Sequence, residues 1–378
     1  MAPEARDVVV VGGGAIGLSI GWRIAAAGLT VTIVDAAAGS GSSAAAAGML
    51  APASEAHFGE TTLLALNLAS AESYPAFVEE LEDTSGLSAG YRRCGTLVVA
   101  RHSDDGAQLI RLHDFQKAHG LDVKRLRSRE CRELEPALAP SIRGGLLASG
   151  DHAVDNRMLV VALLEACTRS GARLHDGRVT EVRSADGGRV TSVDLADGES
   201  MPCGAVVVAA GCWSGSIEGV PPESVPVRPV KGQLLYLRGP AELPLASRNI
   251  RSLDVYVVGR GDGRVAIGAT VEEMGFDTTV TAGAAHALLR DTIEILPGAA
   301  ELELVETVAG LRPGSPDNAP IIGATEIEGL TVATGHYRNG ILLTPVTADA
   351  VAELVVNGKT SDLIAPFGPA RFAAGPGT

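Results

Sequence analysis

Between residues 8 and 35 the chain carries the residue types that grip a diphosphate and a ribose. Four valines (8–11) run directly into Gly12-Gly13-Gly14-Ala15-Ile16-Gly17, and a helical pattern then continues to Ala27. Gly12 permits a tight strand-to-helix turn, Gly14 lets backbone approach a pyrophosphate, and Gly17 lets the helix pack close on the strand. Free N–H groups at the start of that helix, those of Ala15 and Ile16 included, turn a partial positive charge toward the phosphates. Gly28 stops the helix, 30–34 reads as a second strand, and Asp35 ends it. A carboxylate there suits a bidentate contact to a ribose diol and repels a 2′-phosphate. A glycine fingerprint alone is weak and fits any glycine-rich βαβ turn. Here strand, helix, stop, strand and acid fall in register, which predicts a dinucleotide site of the FAD or NAD type.

The rest of the chain must position that site. At 378 residues it is long enough for two domains. A small-residue loop, Gly39-Ser40-Gly41-Ser42-Ser43, follows Asp35, and helical spacing marks 63–81, 108–119 and 158–170. A hairpin pattern spans 178–198 with its turn at Ala185-Asp186-Gly187-Gly188, and a buried run at 205–210 ends in Gly211. Strand-like text fills 225–268, and a last helix is expected from Pro345 to Val356, capped by Thr344 and stopped by Gly358. Nucleotide-fold text thus sits at the start, middle and end, with antiparallel text between. The expected fold is α/β: a discontinuous Rossmann-like domain (1–84, 151–217 and 307–378) and an α+β domain with a large antiparallel sheet (85–150 and 218–306), the ligand lying between them.

Composition narrows the function. A net charge of −14 argues against nucleic acid or an anionic membrane as partner. The opening MAPEARD lacks the basic region of a signal peptide, and five scattered cysteines without CxxC spacing fit reduced thiols, so a cytoplasmic protein is expected. The eight histidines show no metal-ligand spacing, and no metal is expected. Only one GxGxxG occurs, with no Fe–S or disulfide relay, so a bound flavin would take electrons from an organic substrate and pass them to oxygen or an external acceptor.

Several long motifs in order then become usable: Ala46-Ala47-Gly48-Met49-Leu50, RPVKGQ (228–233), GATVEEMGFD (268–277), AGLRPGSPDNAPIIG (309–323) and GHYRNGILLTP (335–345). On these the chain, from Val8 to Val356, resembles the FAD-dependent D-amino-acid oxidase superfamily, and within it the glycine oxidases of thiamine biosynthesis. The resemblance implies non-covalent FAD. Gly12–Gly17 and Asp35 would hold its ADP half, Ser42 and Ser43 its pyrophosphate, and Val179 would meet the adenine. Ala47, Gly48 and Met49 would lie along the isoalloxazine, with Gly211 and Trp213 also at the cofactor. His336, Arg338, Asn339, Gly340, Ile341 and Leu342 belong to a loop near the flavin pyrimidine ring, where backbone contact is the expected mode. Arg312 resembles the arginine that clamps a substrate carboxylate beside the flavin, and Tyr256 its hydroxyl partner. Met49, Glu55 and Arg338 are weaker substrate-pocket candidates; for Glu55 and His57 a solvated loop is the plainer reading.

The chemistry independently asks for these types. Arginine grips a carboxylate through two parallel charge-assisted bonds and so fixes the Cα–H, while the flavin accepts the hydride. The implied activity is oxidation of glycine or a small N-substituted glycine to an imine that hydrolyses to glyoxylate, with O2 reduced to H2O2, by a homo-oligomer. Rival readings are an oxidase of an N-carboxymethyl amine, a quinone-linked D-amino-acid dehydrogenase, and a non-catalytic dinucleotide-binding regulator. Two departures stand out. Ala44 replaces an expected serine beside the flavin, and Gly259 replaces an expected proline, which should loosen the backbone beyond Tyr256.

Overall fold

The computed structural model describes residues 7–185 and 188–372; the opening residues 1–6 and Asp186-Gly187 of the hairpin turn lie outside the described residues. The valine run forms the strand Val8–Val11, at the centre of a six-stranded sheet. In spatial order that sheet runs Ile321–Ala324, Leu330–Thr334, Ala205–Val208, Val8–Val11, Val31–Asp35 and Arg173–Asp176. All neighbours are parallel except the first pair. The central strands Val8–Val11 and Ala205–Val208 are apolar throughout because both their faces are covered, whereas the edge strand Arg173–Asp176 is polar and largely exposed. Val8 and Val10 point into a core with the helices Ala15–Ala26, Thr61–Ser85, Asn156–Arg169 and Thr344–Asn357, where Trp22 meets Phe77 edge-on at 5.6 Å. Val9 and Val11 point the other way, against the hairpin strands Val179–Ala185 and Arg189–Leu195.

The second sheet has eight strands, in the order Glu303–Gly314, Arg228–Arg238, Arg264–Gly268, Tyr256–Gly259, Asn249–Arg251, Thr96–Ala100, Gly144–Ala148 and Val123–Arg127. It is antiparallel except between Asn249–Arg251 and Thr96–Ala100. Alternation along the strands separates its faces. Leu235, Ile250, Val257 and Ile267 enter a core with Leu288 and Ile295 of the helix Ala282–Ile295. Leu234, Tyr236 and Ala266 face the other way, with Met49 and Tyr256 packed against them.

Four local expectations are corrected. The serine-rich segment before Ala46 is a short helix, Gly41–Ala45, rather than a loop. Thr344 does not cap the last helix; Leu343 precedes it, and the Thr344 hydroxyl donates backward to the Gly340 carbonyl at 3.0 Å. The antiparallel sheet also runs past residue 306: the strand Glu303–Gly314, Arg312 included, pairs along its whole length with Arg228–Arg238. Gly259 is not loosened. It lies in register with Val265, and its carbonyl accepts from Arg92.

Candidate active site

The carboxyl ends of the parallel strands open onto a cavity of about 780 Å³, floored by the Tyr256 face of the antiparallel sheet. At one end lies the glycine turn. Gly12 has φ +112°, and a Cβ on it would meet the Ala209 carbonyl at 2.5 Å. A Cβ on Gly17 would sit 1.9 Å from the Gly12 carbonyl oxygen, so Gly17 holds helix to turn from behind the cavity wall. Asp35 braces the turn by accepting from Gly13 N at 2.6 Å and Ala37 N at 2.7 Å. The Ser43 hydroxyl accepts from Ala15 N at 2.9 Å, and the Ser42 hydroxyl donates to the Leu311 carbonyl, tying the segment beside the glycine turn to the Arg312 strand. Gly12, Gly14, Ala15, Ile16, Asp35, Ser42, Ser43, Ala47, Gly48, Met49, Val179, Gly211 and Trp213 all line the cavity. Gly48 has a second reason to be glycine: at φ +73° its Cβ would lie 2.1 Å from the Val154 carbonyl oxygen.

At the other end Arg312 extends across Gly232, where a Cβ would come within 2.3 Å of its guanidinium. Its Nη1 donates to the carbonyls of Thr270 (3.0 Å) and Lys231 (3.4 Å), and its charge acts on the neighbouring Tyr256 phenol. No carboxylate among the described residues pairs with it, which sets it apart from Arg251, paired with Glu55, and Arg338, paired with Glu60. Gly268 leaves the space that the Tyr256 ring fills. Burial pushes the Tyr256 phenol up to about 12 against the opposing pull of Arg312, so it keeps its proton near neutrality.

The sequence profile of the FAD-dependent oxidoreductase family (DAO) matches residues 7–354. The chain belongs to this family. It is similar to the glycine oxidase of Geobacillus kaustophilus, at 36% identity over 369 residues and 97% of each chain. The crystal structure of a glycine oxidase from that organism superposes with a TM-score of 0.91 at 34% identity, covering 98% of this chain and 100% of the other. The bifunctional protein ThiO/ThiG of Synechocystis sp. is 35% identical over 97% of this chain, but the chain spans about half, 54%, of that relative's length. The iminodiacetate oxidase of Chelativorans sp. BNC1 superposes with a TM-score of 0.87 at 29% identity, covering 96% of this chain and 98% of the other. The family's cofactor suits the cavity. Its volume falls within the roughly 300–1,000 Å³ of cofactor sites. A helix N-terminus and a glycine cradle lie at one end, and small residues line its length.

Sequence reasoning and structure part company at several residues. Gly17, Asn339 and Leu342 do not line the cavity: Asn339 is buried, and the Leu342 carbonyl accepts from Ser70. Glu55 and His57 are not a solvated loop, since both are half-buried in the cavity wall. Arg338 donates to His57 Nε2 at 2.8 Å and grips both oxygens of Glu60. Burial, then Arg338, lowers the His57 pKa. His336 is buried against Thr347 Oγ1 at 3.0 Å, and burial pulls its imidazole down to about 3. Arg251 was missed. It stands directly opposite Tyr256 in the antiparallel pair, a register hidden by a strand of three residues, too short to display alternation.

Proposed function

We propose that the chain is an FAD-dependent oxidase of glycine and small N-substituted glycines, releasing glyoxylate and the amine. Overall, substrate, O2 and water give glyoxylate, amine and H2O2. The observation that carries this reading is Arg312, a half-buried guanidinium facing the cavity beside Tyr256 with no carboxylate among the described residues to neutralise it. Such a group offers an α-carboxylate a charge-assisted grip, and the Tyr256 phenol adds a second donor. Two carbonyls hold Nη1, so the guanidinium is oriented before substrate arrives. Bound FAD supplies the hydride acceptor and returns electrons to O2. Gly12, Gly14, Ala15 and Ile16 would hold its pyrophosphate, Asp35 its ribose, Val179 its adenine side, and Ala47 to Met49 its ring system. With the carboxylate fixed, the residues of this end hold the Cα–H in one orientation and exclude water. Tyr256 keeps its proton, and His57 and His336 are held neutral, so this end contributes donors and shape rather than a base.

Anaerobic addition of glycine or sarcosine to the yellow holoenzyme should bleach the flavin band, and readmitting O2 should restore it with stoichiometric peroxide. A flavin that stays oxidised with both substrates overturns the proposal. Reduction without peroxide on reoxidation would instead favour a quinone-linked dehydrogenase.

A further inference from the structure

Beside the carboxylate clamp the cavity wall carries an ion pair that the reaction itself does not need. Arg251 is the cross-strand partner of Tyr256, and directly opposed residues of an antiparallel pair put their side chains on the same face. Its Nη1 reaches Glu55 Oε1 at 3.3 Å and the Ser54 carbonyl at 3.0 Å. Both side chains are mostly shielded and both line the cavity. The Glu55 loop is itself held in place, because buried Asp151 accepts from Ala53 N at 3.0 Å and Ser54 N at 2.9 Å. Beyond the pair stand His57, kept neutral, and Arg338, already neutralised by Glu60. A glycine whose carboxylate sits on Arg312 and Tyr256 therefore presents its N-substituent to a wall whose charges cancel.

We propose that Glu55 and Arg251 determine which N-substituents the cavity accepts: paired, they admit hydrogen or a small neutral group and refuse a second carboxylate. This rests on the reading of Arg312 as the carboxylate clamp. A carboxymethyl group on nitrogen would bring an anion against Glu55 while Arg251 is already committed. Removing the Glu55 charge leaves Arg251 as a second guanidinium without a carboxylate partner on the wall of the same cavity as Arg312, able to receive the second carboxylate.

The test compares wild type, Glu55→Gln, Arg251→Gln and the double variant as holoenzymes. The kcat/KM for iminodiacetate is divided by that for sarcosine, so that general losses cancel. Wild type should prefer sarcosine. Glu55→Gln should raise the ratio about ten- to a hundredfold, the worth of one charge-assisted hydrogen bond, and the double variant should lose the gain. Calorimetry with oxydiacetate, the ether analogue with no amine to oxidise, should show the same order of affinities without turnover. Arg251→Gln alone leaves Glu55 uncompensated and should instead raise the ratio of N-(2-aminoethyl)glycine to sarcosine, which keeps the test decisive even if Glu55→Gln fails to fold. A wild type indifferent between sarcosine and iminodiacetate, an unmoved ratio in Glu55→Gln, or a gain that survives in the double variant overturns the proposal. Failure of wild type to oxidise either glycine or sarcosine strikes the clamp reading, while oxydiacetate binding still decides this one.

Discussion

At the scale of single residues, the site turns on one uncompensated cation and the space made for it. If Arg312 holds the substrate carboxylate in a dehydrated cavity, Arg312→Ala leaves that anion without a partner, at a cost of about 3–5 kcal/mol. This predicts a fall in kcat/KM of roughly a hundred- to several-thousandfold, with FAD content unchanged because the hydrogen bonds of the guanidinium go to the Lys231 and Thr270 carbonyls and not to the glycine turn. Arg312→Lys should recover only part, since an ammonium keeps the charge but loses the two-pronged geometry. Tyr256→Phe should cost about 1.5–3 kcal/mol. Flavin reduction at the wild-type rate and half-saturation in Arg312→Ala would remove the arginine from the site. Gly232→Ala is the sharper probe, because its methyl lands 2.3 Å from the guanidinium and displaces it while leaving the arginine in the chain. It should raise KM while the protein stays folded and yellow; an unchanged KM means the guanidinium has another resting place. Arg312 was legible because it sits in the long motif AGLRPGSPDNAPIIG, whereas Gly232 within RPVKGQ gave no hint that its missing side chain is the bed of that arginine.

Between residues and whole chain, elements hold the loops that form the site. Asp35 supports the glycine turn through Gly13 N and Ala37 N, so Asp35→Ala should weaken FAD retention, read by dialysis, without changing substrate preference. Unchanged retention would take Asp35 out of cofactor binding. The loop bearing Glu55 hangs on Asp151, whose carboxyl burial pushes up to about 6 despite the two amides it accepts from. A carboxyl raised above its unfolded value of 3.8 favours the folded state fully below that value, and the advantage is lost as pH rises through the folded value. The stability of wild type relative to Asp151→Asn should therefore decline between about pH 4 and pH 7, by on the order of 3 kcal/mol, seen as a shrinking Tm difference. A Tm difference that is flat with pH contradicts the assignment. The buried runs 8–11 and 205–208 were readable because full burial leaves no polar alternation. The helix Gly41–Ala45 was not, because five small residues carry no periodicity.

Across the whole molecule, the cavity is a joint: its walls come from the ends of one sheet and the face of another. The alternation of nucleotide-fold and antiparallel text made two sheets legible. Their seam was misjudged at residue 306 because Arg312's motif continues into Ile321–Ala324, a strand of the other sheet. Glu303–Gly314 thus carries the clamp on one sheet while Ser42, beside the glycine turn, bonds its Leu311 carbonyl. A ligand filling this joint binds the folded protein alone and must stabilise it. With FAD at a hundred times its Kd the gain is about 2.7 kcal/mol, which for a chain of this size raises Tm by roughly 3 °C. No covalent tether is expected, since the cavity wall contains none of the five cysteines. Cys212, next to the wall residue Gly211, is buried with its thiol raised to about 12 and so is no thiolate nucleophile. His336 and His57, the histidines that do line it, are already hydrogen-bonded to Thr347 and Arg338. Acid precipitation should release all the yellow colour, and the refolded apoprotein should melt about 3 °C lower until FAD is restored, as followed by circular dichroism. A yellow pellet would establish a covalent bond. Equal melting temperatures with and without FAD would mean that the folded chain does not bind the cofactor.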